Sequence, residues 1–292
     1  MKPAPFQYYA PTTVEEALTL LADNAGDGKL LAGGQSLVPA MNFRLAQPAA
    51  LIDLNGVNEL AYIRADGSGL QIGAMTRQRS LERSPQVAQI APLLAATMPH
   101  IAHTQIRNRG TLGGSLAHAD PAAELPAVMV ALDASFHLAN LEGHRVLGAA
   151  DFYQGLFTTA LEPDEMLVRI DISALPPGSG WSFHEFARRH GDYAIVGVAA
   201  VVQVDANGRC TAARLVYLSV GEGPTAAPQA AAALIGATPT TEVIAAAANI
   251  AAQQDIDPLG DIHASVAYRR HLVEVLGRRA LTDAFARVEV TQ

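Results

Sequence analysis

Short apolar strands alternate with helical segments through the first half of the chain, and this alternation constrains the fold more than any other feature. Segments 29–32, 50–54 and 69–74 have the length and residue types of half-buried strands. Apolar residues recur at helical spacing over 14–21 and 80–102. Strands and helices interleaved in this way are typical of a domain that mixes α and β structure.

The second part of the chain has a different order. A turn-prone stretch at 175–180 separates it from the first part. Three predicted strands follow at 181–186, 193–204 and 214–220, and helices are predicted at 227–234, 241–253 and 262–276. We therefore predict an α+β chain of two domains, residues 1–176 and 177–292, in which the second is a smaller three-stranded sheet followed by helices.

Composition excludes several functions. Half of the residues are hydrophobic and only 16% are charged, which is typical of a folded chain with a sizeable core. The net charge of −8 and the absence of a basic cluster argue against nucleic acid as a partner. Because the chain has one cysteine, Cys210, it can form no internal disulfide and cannot ligate an iron–sulfur cluster, which needs about four thiolates.

The sequence also predicts the cellular location of the protein. Its amino terminus lacks the apolar core of a signal peptide. The longest apolar stretch, 194–202, is too short for a membrane span, which takes about 20 residues. We therefore expect a cytoplasmic protein without a transmembrane segment.

The first candidate for binding chemistry is the glycine pair Gly33-Gly34, which directly follows a predicted strand. Adjacent glycines allow a tight turn whose backbone N–H groups can surround a phosphate. Gln35 and Ser36 can add hydrogen bonds. The segment lacks the Gly-Lys-Ser/Thr of a Walker loop and the third glycine of a Rossmann fingerprint, so a plain strand-to-helix turn is the alternative.

A second glycine pair lies in a run predicted as a loop over 106–120. Thr111 and Ser115 bracket Gly113-Gly114, and a helix is predicted from Pro121, with Asp120 as its cap and a kink at Pro126. Glu124 lies one turn into that helix and can accept hydrogen bonds from ligand hydroxyls. Alone, this run is equally compatible with a structural crossover. Two such loops together favour a dinucleotide-binding cradle.

The two glycine runs, 32–36 and 107–115, together with segments 191–194, 268–270 and 278–281, resemble the medium, FAD-binding subunit of molybdenum hydroxylases. This family includes the medium subunit of carbon monoxide dehydrogenase and the flavin region of xanthine dehydrogenase. The resemblance covers nearly the whole chain. It implies a two-part FAD-binding domain of the vanillyl-alcohol-oxidase/p-cresol-methylhydroxylase type, followed by the smaller domain.

The resemblance also implies roles for individual residues. The first loop would wrap the FAD pyrophosphate, the second would face the phosphates, an acidic residue would contact FAD, and apolar and aromatic residues would line the flavin. The residues of the first loop are Ala32, Gly33, Gly34, Gln35, Ser36 and Leu37, and those of the second loop are Thr111, Gly114 and Ser115. The acidic residue is Glu124, and the residues that would line the flavin are Ile101, Leu167 and Tyr193. Relatives often carry histidine at position 35, and a lysine where His184 and Glu185 stand. No catalytic acid or base and no metal ligand is predicted.

The function that the resemblance implies is that of an FAD-binding electron-transfer subunit. FAD would bind non-covalently and take electrons from 2Fe–2S clusters on a small partner chain. A large partner chain would hold molybdopterin and oxidise a substrate, and the acceptor would be a quinone, NAD or oxygen. Relatives assemble as dimers of heterotrimers.

Three alternatives remain open at this point. A self-standing FAD-dependent oxidase or reductase would need an active-site base beside the flavin. A cofactor-free scaffold subunit would predict degraded glycine loops, whereas both are intact. A nucleotide-binding regulatory module is disfavoured by the missing lysine of a Walker loop.

Overall fold

The structure, a computed structural model, describes residues 2–288. Met1 and residues 289–292, the end of the predicted second domain, lie outside this range. The described residues form helices and sheets in three successive parts. The α+β organisation predicted from the sequence is confirmed.

The first part is a small parallel sheet with two helices. In chain order its elements are β1 (Gln7–Tyr9), α1 (Val14–Asp23), β2 (Gly28–Leu31), α2 (Leu37–Asn42) and β3 (Ala50–Asp53). The sheet order is β1-β3-β2, and both pairings are parallel. Thr13 caps α1, because its hydroxyl accepts a hydrogen bond from the N–H of Glu16. The parallel pairing brings the carboxyl ends of β2 and β3 to the same edge.

The second part is a five-stranded antiparallel sheet, order β4-β5-β10-β6-β7, covered by short helices. Its elements are β4 (Ile63–Ala65), β5 (Gly69–Gly73), α3 (Gln78–Arg83), α4 (Pro85–Ile90), α5 (Pro92–Thr97), α6 (Thr104–Arg109), α7 (Leu112–His118), α8 (Glu124–Ala131), β6 (Ser135–Asn140), β7 (Gly143–Gly148), α9 (Ala149–Phe152), β8 (Tyr153–Gly155), β9 (Thr158–Thr159) and β10 (Met166–Ser173). Strands β8 and β9 form a separate hairpin.

The third part is a four-stranded antiparallel sheet, order β11-β12-β13-β14, with three helices. Its elements are β11 (Ser179–Ala187), β12 (Ala194–Val204), β13 (Cys210–Leu218), β14 (Thr225–Ala226), α10 (Pro228–Leu234), α11 (Thr241–Ile250) and α12 (Val266–Ala286). The sequence predicts three strands here. The fourth, β14, has only two residues and therefore carries no periodic signal.

Hydrophobic packing joins the second and third parts. One face of β11–β13 contributes Phe183, Val201 and Leu218 to the same core as α5, α8 and the five-stranded sheet. The opposite face packs on α10–α12 in a second core. A strand buried on both faces has no polar face to alternate with, which explains the continuous apolar run of β12.

Three local predictions in the second part are wrong. Most of the run 106–120, predicted as a loop, is helical in α6 and α7. The helix predicted from Pro121 begins at Glu124, because the Asp120 carboxylate accepts from the N–H of Ala122 and holds a turn instead. Pro126 therefore lies in the first turn of α8, where proline needs no hydrogen-bond acceptor and causes no kink.

Within residues 2–288 no helix combines the length and the apolar character needed to cross a membrane.

Candidate functional site

The first glycine loop, residues 32–36, follows β2 at the carboxyl edge of the parallel sheet. Gly34 has a φ of +74°, a left-handed conformation that glycine adopts without strain. Ser36 directly precedes α2 at the N-cap position, but its hydroxyl makes no capping hydrogen bond. In the described part of the chain, the N–H groups of Gly34, Gln35 and Ser36 have no acceptor. The loop therefore presents free backbone donors and a free hydroxyl at one edge.

The second glycine loop, residues 110–115, packs directly against the first. A Cβ on Gly33 would lie 2.5 Å from the Arg109 carbonyl oxygen and 2.8 Å from the Cα of Gly110. A Cβ on Gly114 would lie 3.0 Å from the Cβ of Ala32. The structure thus brings together two loops that stand about eighty residues apart. Glycine is required at position 33 because the backbones touch, and at position 114 because a Cβ would lie 2.7 Å from the Thr111 hydroxyl oxygen.

Thr111 orders the second loop from within. Its side chain is buried, and its hydroxyl accepts a hydrogen bond of 3.0 Å from the N–H of Gly114 as the N-cap of α7. Gly113 packs against Ala74, where a Cβ would lie 2.5 Å from the alanine Cβ. Ser115, in the first turn of α7, is partly exposed beside the junction of the two loops.

A cavity of about 340 Å³ opens over this junction. Its lining residues are Leu31, Ala32, Gly33, Gly34, Gln35, Val38, Pro39, Asp53, Asn55 and Arg109. Arg77 lies behind the cavity and donates a hydrogen bond to the carbonyl oxygen of Arg109. Burial and the nearby positive charge of Arg109 lower the pKa of Arg77. The cavity thus combines backbone donors with cationic side chains, a combination that binds anions.

The polar group at the end of β3 is not among the residues predicted from the sequence. Asp53 accepts a hydrogen bond of 2.6 Å from the Tyr8 hydroxyl, and Asn55 donates to the carbonyl oxygen of Ala32 at 3.1 Å. Burial raises the pKa of Asp53, but the hydrogen bonds from Tyr8 and Asn55 outweigh it and keep that pKa below its usual value. Because parallel strands end at one edge, the polar residues after β3 could have been assigned to this site together with those after β2.

These features fit the pyrophosphate of a dinucleotide. The two glycine loops leave no space for side chains at their contact, so a ligand approaches the backbone itself. The donors in this group are the amides of the first loop, the Ser36 hydroxyl and Arg109, all suited to phosphate oxygens. Asp53, whose pKa is lowered, adds an ionised acceptor to the same cavity.

The predicted acidic residue lies at the opposite end of α7 from the glycine loops. Glu124 is the first residue of α8 and its side chain is 8% exposed. Burial, together with the negative charges of Glu185 and Asp120, raises the pKa of Glu124 to about 8. At neutral pH this carboxyl is therefore predominantly protonated and can donate a hydrogen bond.

Tyr193 lies in the loop between β11 and β12, close to this carboxyl. Its side chain is 67% exposed, which is unusual for a large aromatic residue. Burial of its hydroxyl end and the charges of Asp120 and Glu124 raise the pKa of Tyr193. On the other side of the α7–α8 turn, the exposed Phe157 ring lies 5.2 Å from the His118 ring. Aromatic faces therefore stand open to solvent around the α7–α8 turn.

The two predicted apolar residues lie in the first core. Ile101 is 8% exposed in the link to α6, and Leu167 is 5% exposed near the start of β10. Both belong to the hydrophobic cluster that contains α7 residues Leu112 and Leu116. They form part of the apolar base beneath the second glycine loop.

His184 and Glu185, neighbours on β11, face opposite sides of the sheet. His184 bonds the carboxylate of Asp283 on α12 through Nε2 at 2.8 Å. Glu185 faces the second part of the chain, where its Oε1 lies 3.3 Å from Nδ1 of His100. The His184 side chain therefore bonds α12, and of these two neighbours it is Glu185 that faces the second part of the chain.

The contact between the two glycine loops, with its free backbone donors, defines a candidate dinucleotide-binding site. Residues 4–174 match the family model described as the FAD binding domain in molybdopterin dehydrogenase. Residues 181–284 match the C-terminal domain of the carbon monoxide dehydrogenase flavoprotein. The chain belongs to the family of FAD-binding medium subunits of molybdenum hydroxylases, and it is an oxidoreductase subunit with an FAD-binding domain.

Individual relatives are similar over their whole length. The chain is 44% identical to the 6-hydroxypseudooxynicotine dehydrogenase complex subunit alpha of Paenarthrobacter nicotinovorans, covering 100% of this chain and 98% of the relative. It is 39% identical to the carbon monoxide dehydrogenase medium chain of Hydrogenophaga pseudoflava, covering 98% and 99%.

Solved structures are also similar to this chain over nearly its whole length. A carbon monoxide dehydrogenase from Hydrogenophaga pseudoflava, which lacks the Mo-pyranopterin moiety of the molybdenum cofactor, superposes with a TM-score of 0.96 at 40% identity, over 99% of this chain and 100% of that one. Quinoline 2-oxidoreductase from Pseudomonas putida 86 superposes with a TM-score of 0.93 at 40% identity, over 98% and 99%.

Proposed function

We propose that this chain binds FAD non-covalently and transfers electrons from 2Fe–2S clusters on a partner chain to an external acceptor. The observation that carries the proposal is the contact between the two glycine loops, which places free amides and Arg109 around one cavity. The cavity has the donors that a pyrophosphate requires, and the chain belongs to an FAD-binding family.

Each part of the site has a role in FAD binding. The first glycine loop with Leu37, together with Gly114 and Ser115, holds the pyrophosphate, while Thr111 keeps the second loop in shape. Glu124 donates a hydrogen bond to the ligand, and Tyr193 covers one face of the isoalloxazine ring. Ile101 and Leu167 support the ring from the apolar base. The flavin supplies the redox chemistry when bound, and the protein binds it, orients it and sets its surroundings.

The proposed electron source requires partner chains, because this chain lacks the thiolates that hold iron–sulfur clusters. With one cysteine, buried in β13, it cannot ligate an iron–sulfur cluster. We infer a small 2Fe–2S subunit and a large molybdopterin subunit, assembled as a dimer of heterotrimers in the cytoplasm. Relatives are named as a subunit of a dehydrogenase complex and as medium chains, which supports this division. The acceptor is a quinone, NAD or oxygen.

The substrate of the complex is not selected by this chain in our proposal. Relatives 36–44% identical to it carry the names of dehydrogenases or hydroxylases for 6-hydroxypseudooxynicotine, carbon monoxide, nicotine and caffeine. Such different molecules, named for similar medium chains, support an assignment of substrate choice to the molybdopterin subunit.

A self-standing flavin oxidase or reductase is the alternative, and it requires a base beside the flavin. Glu124 is the buried carboxyl closest to that task, but its pKa of about 8 keeps it protonated at neutral pH. The site therefore offers an acid where the alternative needs a base.

The test is purification of the native protein and measurement of flavin, iron and molybdenum per copy of this chain. FAD with both metals and two co-purifying chains is the expected result. FAD on a lone chain without either metal would overturn the proposed electron source and favour the self-standing flavoenzyme. A native protein without flavin would overturn the cofactor assignment itself.

A further inference from the structure

The second glycine loop is fixed to the segment that precedes α3 by backbone hydrogen bonds. The N–H of Gln78 donates to the Gly110 carbonyl oxygen at 2.9 Å. The N–H of Leu112 donates to the Thr76 carbonyl oxygen at 3.0 Å. Arg77 lies between Thr76 and Gln78, so its backbone belongs to the same side of the site as the second loop.

One hydrogen bond crosses from this side to the side of the first loop. Among the described residues, the bond from Nη2 of Arg77 to Oδ1 of Asn55 is the only one that joins residues 2–56 to residues 74–115. Asn55 follows β3 and lines the cavity, and both side chains are half-buried. The two sides otherwise meet by packing, as at Gly33. The bond between Arg77 and Asn55 therefore bridges the contact between the loops.

Asn55 is bonded to the first glycine loop. Its Nδ2 donates to the carbonyl oxygen of Ala32 at 3.1 Å and also to the carboxylate of Asp53. That carboxylate accepts from the backbone N–H of Asn55 at 2.9 Å and from the Tyr8 hydroxyl at 2.6 Å. Because both side-chain N–H groups of Asn55 have acceptors here, its oxygen is held in one orientation, towards Arg77.

Arg77 is bonded to the second glycine loop at the point where the loops touch. Its Nη1 donates to the carbonyl oxygen of Arg109, while its Nη2 donates to Asn55. The same carbonyl oxygen would lie 2.5 Å from a Cβ on Gly33, so it is an atom of the contact itself. A guanidinium is planar and presents its N–H donors in a rigid fork. Arg77 therefore holds its two acceptors at a fixed separation.

We propose that Asn55 and Arg77 are positioning residues that set the separation of the two glycine loops for FAD binding. The inference deepens the proposed function, because it assumes that FAD binds at these loops. The connection runs from the Ala32 carbonyl oxygen through the Asn55 amide and the Arg77 guanidinium to the Arg109 carbonyl oxygen. Loops that are ordered before a ligand arrives lose less conformational entropy on binding, which raises the affinity.

The test titrates the flavin-free full chain with FAD and follows the flavin fluorescence. Asn55→Ala and Arg77→Ala should each raise the Kd for FAD about tenfold, the usual effect of losing a hydrogen bond to a charged group. The double variant should bind no more weakly than either single variant, because each substitution breaks the same connection. Thermal unfolding of the same samples shows that each variant is folded.

Arg214→Ala is the matched control. Arg214 also donates to one carbonyl oxygen and one side chain, those of Ala131 at 3.2 Å and Asp133 at 2.9 Å. It lies on β13, outside the cavity lining. This variant should bind FAD like the wild type. An equal loss of FAD affinity in Arg214→Ala and Arg77→Ala would assign the loss to general destabilisation and overturn the proposal.

Two further measurements test the geometry at position 77. Arg77→Lys keeps the positive charge but not the planar fork, so it should fold like the wild type and still bind FAD about tenfold more weakly. Millimolar guanidinium should restore the FAD affinity of Arg77→Ala, whereas sodium at the same concentration should not. Wild-type affinity in Arg77→Lys, additive losses in the double variant or absence of rescue would overturn the proposal. A wild-type chain that binds no FAD would overturn the proposed function instead.

Discussion

At the scale of the residue, the site depends on positions where a side chain is absent. Gly33 and Gly114 allow two loops to pack directly against each other, and the cavity lies over that contact. The neighbours of a Cβ at position 33 are backbone atoms, which cannot rotate aside, and those at position 114 are chiefly the Thr111 hydroxyl and the Ala32 Cβ. Even one methyl group must therefore separate the loops.

Gly33→Ala should reduce FAD binding about tenfold, which corresponds to about 1.4 kcal/mol. Its Cβ would lie 2.5 Å from the Arg109 carbonyl oxygen, so Arg109 and the first glycine loop must move apart. Overpacking of this kind also destabilises a fold by about 1–3 kcal/mol. The measurement is FAD content after desalting, together with a titration of the flavin-free chain.

The matched control is Gly148→Ala, whose Cβ would meet only the Asp151 carboxylate at an ordinary 3.5 Å. This variant should bind FAD like the wild type. Equal FAD affinity for Gly33→Ala and Gly148→Ala would contradict the assignment of the first glycine loop.

Glu124 should make stability depend on pH. Its pKa is raised from 4.5 to about 8, so the folded state binds this proton more tightly than the unfolded state does. Its contribution is fully present below pH 4.5 and is lost as the pH rises through about 8. Since each pKa unit is worth about 1.4 kcal/mol, the loss is on the order of a few kcal/mol.

Glu124→Gln removes this titration, so the variant should lose less stability than the wild type between pH 5 and pH 8. Urea unfolding of the flavin-free chain across that range provides the slope. A wild type and a variant with parallel stability profiles would show that Glu124 ionises normally.

At the scale of the element, α12 is fitted to the third sheet by small and polar residues. Ser182 on β11 donates a buried hydrogen bond of 2.7 Å to the Ala280 carbonyl oxygen. The buried guanidinium of Arg269 donates to the carbonyl oxygens of Ile195 and Ser219 and to the carboxylate of Asp261. These contacts join one helix to two strand ends and a loop.

Gly277→Ala should destabilise this helix contact by about 1–3 kcal/mol, although alanine is the better helix former. A Cβ at position 277 would collide with the hydroxyl of the buried Tyr217, which donates to the Val273 carbonyl oxygen. The ring carbon that carries this hydroxyl is 3.5 Å away, an ordinary contact. Removing the hydroxyl should therefore relieve the collision.

A double-mutant cycle checks this point. Tyr217→Phe alone should cost about 1 kcal/mol for its hydrogen bond. Combined with Gly277→Ala, it should restore part of the stability, giving a coupling energy between the two sites. Additive effects in chemical denaturation would show that the hydroxyl does not limit the approach of α12.

At the scale of the whole molecule, the third sheet belongs to both parts of the chain. Its face towards α8 lies in the first core, and its other face packs on α10–α12. The boundary at 176/177 stays a prediction about chain organisation. The shared core nevertheless indicates that the two sides do not fold independently.

The full chain should therefore unfold in a single transition. Differential scanning calorimetry should give equal calorimetric and van't Hoff enthalpies. A fragment of residues 177–292 should lack a cooperative transition, because the sheet face with Phe183 and Val201 would be exposed. Two resolved transitions in the full chain, or a fragment that melts cooperatively, would contradict this expectation.

Much of the local structure could be predicted from the sequence. The strands at 29–32 and 69–74, the helix within 14–21 and the order of strands before helices in the last third depend on side-chain periodicity and turn residues, which are local properties. The helix α7 could not be predicted. Its adjacent glycines are poor helix formers, and it is stable because Gly113 packs on Ala74 and Gly114 on the first loop.

The fold class, the family and the two glycine loops could be predicted from the sequence, because side-chain periodicity and short motifs indicate them. The contact between the loops, and the position of Asp53 and Arg109 at the same cavity, became apparent only in the folded chain. The packing of elements also places Glu185 against His100 and His184 against Asp283 of α12. The physical reason is that spacing along a chain fixes neighbours within an element, whereas contacts between elements depend on how their surfaces pack.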